Sequence, residues 1–421
     1  MTPAETHAFI AQARALGSRP GLTRVRALMA ALHNPAEGLR IIHITGTNGK
    51  GSCAALLYAG LCGAGLTAGL FTSPEIFRVN ERISACGEQI SEAELCAAAA
   101  EVYPHWQTLA AAGDPPTEFE IFVAMALVHF RRRGVTHAVI EVGMGGRGDA
   151  TNVFSSTDVC VITPISLDHT NFLGNSVSAL AEEKCGILRP GCTVVTPADQ
   201  HPEALSVIRR EAARLGCELR LADPAEARDV RLFADRTEFS LRGTSVTVPF
   251  GGDFQVQNGV CAAEALAAFG RRCGLSLSVD GFAAARLCGR FCRVSDRPEI
   301  WCDAGHNPAA VTALCAAISR HLSDRPLMAV MGMYRDKDHA FCIRQIAGRC
   351  TAFFAVESDN PRALSAETVA AEAREVCPAV YVTPDPAEGL RAAVAEAEKV
   401  GGRVLICGSF GHMARALEGI L

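Results

Sequence analysis

The sequence predicts an α/β protein: a mostly parallel sheet with a small antiparallel sheet beside it, followed by a C-terminal Rossmann-like domain. Three observations carry that expectation. Apolar, β-branched runs alternate with helical patterns along most of the 421 residues. The runs are continuously apolar instead of alternating with polar residues, as strands covered on both faces are. A second series of the same kind begins at Ile300.

Taken in order, strands are expected at residues 40–44, 68–71, 137–142, 159–165 and 192–196. Residues 228–248, with a turn at Arg242 and Gly243, read as short antiparallel strands forming an edge to that sheet. Five further strands, at 299–302, 327–331, 352–355, 379–382 and 403–407, with helices between them, make a separate domain of ordinary size. The boundary falls near 289–297, giving a first domain over 1–292 and a Rossmann-like domain over 293–421.

Composition excludes several function classes. Apolar residues are 49% of the chain and charged residues 20%, which rules out a disordered or fibrous protein. A net charge of −5 gives no drive toward nucleic acid or anionic lipid. The basic run Arg131, Arg132, Arg133 closes a helical pattern, where cations suit the helix dipole. Residues 51–74 carry no charge and resemble a membrane span, but Gly60, Gly63, Gly65 and Gly69 interrupt them; a buried helix, a turn and a strand are expected instead. The opening MTPAETHAFI has no basic segment before an apolar core, and the 18 cysteines stand singly without metal-ligand spacing, so reduced thiols in a cytoplasmic protein are expected.

The chemistry begins at TGTNGKGS, residues 45–52. A strand runs into a glycine-rich turn that holds one lysine and opens a helix. Such glycines let backbone N–H groups point into a concavity, the helix N-terminus favours an anion, and Lys50 supplies a point charge for the outer phosphates. Against GxxxxGK[ST] the loop is two residues short, and Ser52 lies two places beyond the lysine. A structural turn has no need of the cation. Glu141 ends the strand in HAVIEVGMGGRGDATN, where a carboxylate faces the ligand crevice and can hold a metal. PISLDHTNFLG places Asp168 and His169 at another strand end, and EEKCGIL puts Lys184 on a helix.

These segments, in this order, resemble the Mur ligase superfamily and, within it, the folylpolyglutamate synthase and dihydrofolate synthase family. TSPEIFRVNERI at 72–83 is similar to that family's TSPHL loop, DFQVQN at 253–258 to its adenine contacts, and DAGHNP at 303–308 and GMYRDKD at 332–338 to its DGAHNP and GMxxDKD segments. The resemblance covers nearly the whole chain and implies an ATP-dependent acid–amino-acid ligase. It would add L-glutamate to dihydropteroate or reduced folates through an acyl phosphate, with Mg2+ and a monovalent cation such as K+, in a cytoplasmic monomer.

Carried over residue by residue, it assigns Gly46, Thr47, Asn48, Gly49, Lys50, Gly51 and Ser52 to the ATP phosphates. Ser73, Glu141 and His169 would hold magnesium, and Gln255 and Asn258 would face adenine. Arg290, Asp303 and His306 would contact phosphate and ribose from the second domain. Lys50, Glu141, His169 and Lys184 are the catalytic set, with Lys184 expected to carry a carbamate. Thr117, Phe119, Asp149 and Ala150 line the folate side. The chain departs from the family pattern at Glu75 (commonly histidine), Cys288 (proline), Cys292 (acidic or amide) and the order Ala304-Gly305. ICGSFGHMARALE and GRF favour the bifunctional branch over folylpolyglutamate synthase alone. A peptidoglycan ligase would normally carry a further N-terminal domain, where about 40 residues precede the first strand here. A non-catalytic nucleotide binder would have lost Lys50 or Glu141.

Overall fold

The computed structural model describes residues 1–167 and 176–418. It separates into two compact units. The first comprises most of residues 1–226 together with Gln257–Ala285, the second Ala227–Val256 together with the chain from Arg286 onward.

In the first unit helices α1 (Pro3–Arg14) and α2 (Thr23–Ala31) precede strand β1 (Arg40–Thr45). Helix α3 (Lys50–Gly63) and strand β2 (Ala68–Phe71) follow, so the uncharged stretch is a core helix, a turn and a strand. Among the described residues no helix is long and apolar enough to cross a membrane. Strands β3 (Ile83–Ala85) and β4 (Glu88–Gln89), helices α4 (Glu92–Ala111) and α5 (Glu118–Arg132), and strands β5 (His137–Glu141), β6 (Val159–Ile162), β7 (Thr193–Pro197) and β8 (Glu218–Ala222) complete an eight-stranded sheet of order β4-β3-β2-β5-β1-β6-β7-β8. From β2 to β8 its strands pair in parallel, and β3 and β4 extend one edge antiparallel. Those two short strands and both leading helices have no counterpart in the sequence reading.

Helices α1, α2, α4 and α5 cover one face, burying Phe9, Leu28, Leu95, Phe122 and Phe130 in one apolar cluster. Each such side chain contributes about 1.5–3 kcal/mol by leaving water. Ser91 and Thr117 start α4 and α5 with capping boxes that satisfy otherwise orphaned N–H groups. Arg131 and Arg132 close α5 and pair with Glu101, as a helix-end role for that basic run requires.

The second unit corrects one expectation. Strands β9 (Ala227–Leu232), β10 (Thr237–Leu241) and β11 (Thr244–Val248) form a three-stranded sheet of their own, not an edge of the large sheet. β10 pairs antiparallel on both sides, and its register shifts between Glu238 and Ser240. β9 is largely exposed and Asp229 takes a left-handed φ of 52°, features that blunt an edge instead of extending one. The C-terminal sheet has order β12-β13-β17-β14-β15-β16. Five of its strands, β13 (Glu299–Asp303), β14 (Leu327–Met331), β15 (Ala352–Ala355), β16 (Val380–Val382) and β17 (Arg403–Cys407), match the sequence reading; β12 (Cys292–Asp296) adds an antiparallel edge.

Candidate active site

In the first unit the 45–52 turn leaves β1 and enters α3. Gly46 has φ 142° and Gly49 φ 89°, and a Cβ would meet Thr163 Oγ1 at 1.8 Å on the first and Asn258 Oδ1 at 2.3 Å on the second. Neither position can hold a side chain, so the glycines in TGTNGKGS are demanded by close approach as well as by backbone conformation. The Thr47 amide donates to the carbonyl of Pro164 at 2.9 Å, and its hydroxyl donates to that of Ser166 at 3.0 Å, which fixes the outer lip of the turn. Ser52 is buried in the first turn of α3. Lys50 folds back over its own loop, with Nζ donating to the carbonyls of Gly46 at 3.2 Å and Thr47 at 3.1 Å.

Glu141 ends β5 and is only 2% exposed. Its Oε2 accepts the backbone N–H of Ser73 at 3.2 Å, so two of the three expected metal ligands lie together beside the phosphate turn. A buried carboxylate at a strand end suits a hard divalent cation, and the Ser73 and Glu141 positions fit one. The third, His169, lies outside the described residues, as does Asp168.

Lys184 ends the helix Val177–Lys184 and is buried, with Nζ donating to the carbonyl of Gly46 at 2.8 Å. The surface-lysine alternative, pairing with Glu182 or Glu183, does not hold. Glu182 pairs with Arg210, and Glu183 turns to Gly148 and Arg147.

The glycine loop 143–148 rests on that same helix end. The Arg147 amide donates to the carbonyl of Glu183 at 2.9 Å, and Thr45 Oγ1 donates to that of Gly145 at 2.7 Å, tying this loop to the phosphate turn. Asp149 is turned into its own loop: Oδ2 accepts the Met144 amide at 2.9 Å, while Oδ1 accepts the amide and hydroxyl of Thr151 at 2.9 and 2.6 Å. Burial pushes its carboxyl above the usual range. Ala150 is buried beside it. Thr117 caps α5, its amide and hydroxyl both donating to Glu120. Phe119 packs on Phe71 with ring centroids 5.7 Å apart, and a Cβ on Gly143 would lie 2.5 Å from its ring.

Several participants escaped sequence reasoning. Arg24 donates to buried Glu120 at 3.1 Å, which orients the Thr117 cap. Gln200 accepts the Ile165 amide at 2.8 Å and donates to the Thr163 carbonyl at 3.2 Å, holding the segment that walls Gly46. Glu75 pairs with Arg82, whose guanidinium also lies 3.6 Å from Glu118 and stacks 4.4 Å over the Phe122 ring. Arg14 lies 3.6 Å from the same Glu75 carboxylate, which thus has two counter-ions.

Asn258 and Gln255 stand three residues apart on the helix Phe254–Cys273, both buried. In the second unit Asp303 ends β13 and accepts the amides of Phe291 at 2.8 Å and Gly305 at 2.7 Å. Burial raises its carboxyl to about 6 against the opposing pull of Arg290. A Cβ on residue 305 would sit 2.8 Å from that carboxylate, which accounts for the Ala304-Gly305 order: the glycine is needed where the amide turns toward Asp303. Arg290 lies 4.9 Å over Phe410, and His306 meets the same ring edge-on at 6.4 Å, its Nδ1 donating to the Ala304 carbonyl. The three residues assigned to ribose and phosphate therefore cluster at the C-terminal ends of β13 and β17. The same unit holds a pocket of about 540 Å3 whose lining includes Arg335, Ser358, Asn360 and Arg415. Cysteine spacing gave no sign of a metal set, yet Cys288, Cys292 and Cys302 converge here.

Residues 44–266 match the Mur ligase middle domain, and residues 289–410 the Mur ligase glutamate ligase domain. The chain is 35% identical over 377 residues to the folylpolyglutamate synthase of Lacticaseibacillus casei, spanning 86% of this chain and 87% of that one. It is 34% identical over 359 residues to the dihydrofolate synthase/folylpolyglutamate synthase of Bacillus subtilis, spanning 82% and 83%. The Mycobacterium tuberculosis folylpolyglutamate synthase structure complexed with ADP and AMPPCP superposes with a TM-score of 0.89 at 30% identity, over 99% of this chain and 98% of that one.

Proposed function

The chain belongs to the Mur ligase family, in its folylpolyglutamate synthase and dihydrofolate synthase branch, and on that premise we propose that it is a bifunctional enzyme of folate metabolism. It is an ATP-dependent ligase that joins L-glutamate to a folate-type carboxylate, accepting both dihydropteroate and reduced folates. The observation that carries this reading within the chain is the 45–52 turn. Gly46 and Gly49 leave no space for side chains, the α3 N-terminus opens directly behind them, and Lys50 stands at its first residue.

Amide formation from a carboxylate is uphill in water, so the carboxylate needs a leaving group first. Its oxygen attacks the γ-phosphorus of ATP, ADP leaves, and an acyl phosphate forms. The glutamate amine then attacks the acyl carbon, loses a proton and expels phosphate. Lys50 and the turn amides neutralise charge that spreads over the transferred group. Bound Mg2+, held by Glu141, Ser73 and His169, would supply further neutralisation of the phosphate oxygens. Otherwise the chain's task is positioning and exclusion of water, since an exposed acyl phosphate hydrolyses.

The finer assignments rest on the same reading. Lys184, buried beside the phosphate turn, would react as its neutral amine with carbon dioxide, releasing a proton and leaving a carbamate. That carbamate would add an anionic group to the residues that would hold Mg2+. Phe119, which stands against Gly143 of the 143–148 loop, and Thr117 would border the pterin, and Asp149 would act by holding that loop in shape. Asp149→Ala is expected to weaken pteroate binding with ATP binding unchanged; equal loss of both removes the assignment. K+ as a further cofactor and a monomeric cytoplasmic enzyme complete the proposal. The deciding experiment offers purified protein ATP, Mg2+ and labelled glutamate with dihydropteroate or tetrahydrofolate in separate tubes. Incorporation in both supports bifunctionality, incorporation with tetrahydrofolate alone reduces the assignment to folylpolyglutamate synthase, and none in either overturns it.

A further inference from the structure

Cys288, Cys292 and Cys302 lie far enough apart in sequence to pass as isolated thiols, and the fold closes them into a triangle. Cys292 and Cys302 are directly opposed on the antiparallel pair β12 and β13, and Cys288 turns back onto both through the 289–291 turn. The sulfur separations are 3.3 Å for Cys292 to Cys302, 3.5 Å for Cys288 to Cys292 and 3.8 Å for Cys288 to Cys302. A tetrahedral ion with bonds of about 2.3 Å to sulfur spaces its ligands about 3.8 Å apart, so small adjustments of the thiols would admit one. A second group, Cys160, Cys192 and Cys217, is a line instead: Cys192 reaches the other two at 3.8 and 3.5 Å, but the three do not close on one point.

Two further observations favour a metal over an ordinary thiol core. The Gly289 amide donates to Cys292 Sγ at 3.1 Å, the kind of N–H contact that supports a thiolate ligand. Cys288 and Cys292 are half-buried, so an ion can enter and water can complete a fourth position, while Cys302 forms the closed floor.

We propose that Cys288, Cys292 and Cys302 form a three-thiolate site for a thiophilic divalent metal, of which Zn2+ is the natural occupant. Its place gives it a consequence. Cys288 and Cys292 bracket Arg290, and Cys302 immediately precedes Asp303, so an ion there ties together the two segments that carry the assigned phosphate and ribose contacts. Binding would displace thiol protons and be pH-dependent.

The test uses the full-length reduced protein and needs no substrate. Titration with Co2+ is expected to give one equivalent of thiolate-to-cobalt charge-transfer absorption with the intense visible bands of tetrahedral coordination, displaced by Zn2+. Cys288→Ser and Cys292→Ser should each lower Zn2+ affinity by more than the roughly 10–100-fold that losing a hydrogen-bond partner of a metal ligand costs. Cys86→Ser and Cys217→Ser should leave it unchanged. Cys302→Ser tests the floor, and if it fails to fold the two half-buried variants still decide. Absence of the charge-transfer band from folded protein overturns the site, as does a band that survives both Cys288→Ser and Cys292→Ser. A disulfide found by mass spectrometry between two of the three, in protein that binds no Zn2+ after reduction, would likewise overturn it.

Discussion

Lys184 donates to the carbonyl of Gly46 at 2.8 Å, and Lys50 reaches the same carbonyl from the other side at 3.2 Å. Two lysine side chains thus converge on one backbone oxygen of the phosphate turn. Lys50 is part-exposed, so its removal should leave the fold intact. Lys50→Ala is expected to lower turnover by roughly 10²–10³, the range found when a preorganised electrostatic group is lost. Circular dichroism checks the fold and labelled glutamate the rate. A folded variant with near-normal turnover would remove Lys50 from the reaction.

Lys184 differs because it is nearly enclosed. It shares the Gly46 carbonyl with Lys50, and a carbamate there would depend on dissolved carbon dioxide. Activity should therefore fall in buffer stripped of carbon dioxide and return with bicarbonate. Lys184→Ala should regain part of its activity with a short-chain carboxylic acid. Unchanged activity without carbon dioxide, together with no rescue, rejects the carbamate.

Gly143 and Phe119 make a second pair whose fit can be measured. Adding a Cβ at Gly143 places it 2.5 Å from the Phe119 ring, well inside contact distance. Gly143→Ala is expected to cost about 1–3 kcal/mol of stability, as overpacking does, and to raise KM for the folate substrate more than for ATP. Trimming the ring in Gly143→Ala with Phe119→Leu should restore much of both. If the double variant is no better than the single, the ring does not set the loop.

Arg82 is a counter-ion of Glu75 and lies near Glu118, with side-chain exposures of 9%, 16% and 19%. Arg82→Met leaves Glu75 and Glu118 with the more exposed Arg14 as their remaining cation, and a loss of about 1–3 kcal/mol is expected in denaturant unfolding. Adding Glu75→Met should recover a large part of it. Strict additivity of the two substitutions would show that the pair does not interact.

Much of this arrangement was legible because its signals are local. The 45–52 turn, the carboxylate at Glu141 and the strand ends at Asp303 are each written in a few adjacent residues whose types the chemistry demands. Other features depend on contacts between distant segments. Arg24 and Glu120 are 96 positions apart, and no periodicity links them. The Cys288, Cys292 and Cys302 triangle needs β12 to turn back along β13 before its spacing has meaning. The small β9–β11 sheet was expected, but its separation from the large sheet was not: antiparallel strands announce their turns, but not which larger sheet they decline to join. Asp149 showed the converse, since its motif was visible while its turn inward onto Met144 and Thr151 was not.

The histidines give a pH prediction with a definite sign. His43 Nε2 shares a hydrogen bond with Thr151 Oγ1 at 2.9 Å, and His412 Nδ1 with Ser409 Oγ at 3.0 Å. The other nitrogen of each ring is buried without a partner among the described residues. Burial lowers His43 to about 3 and His412 to about 4. Both are neutral when folded, whereas in the unfolded chain each takes up a proton below about 6.5. The unfolded state then binds more protons, so stability falls as pH drops through about 6.5 and continues to fall until each folded value is passed. Each ring contributes a slope of about 1.4 kcal/mol per pH unit within its window, and above about pH 7 neither contributes any. Buried Asp303, raised to about 6, works in the opposite direction: its folded carboxyl holds a proton that the unfolded chain has released, so it offsets part of the acid loss above about pH 4. His412→Asn should flatten the acid limb of the denaturant midpoint while shifting the neutral-pH value less. Imidazole nitrogen shifts followed by NMR should show both rings neutral at about pH 5.5, where an exposed histidine is mostly charged. An imidazolium signal from His412 at that pH would reject the account.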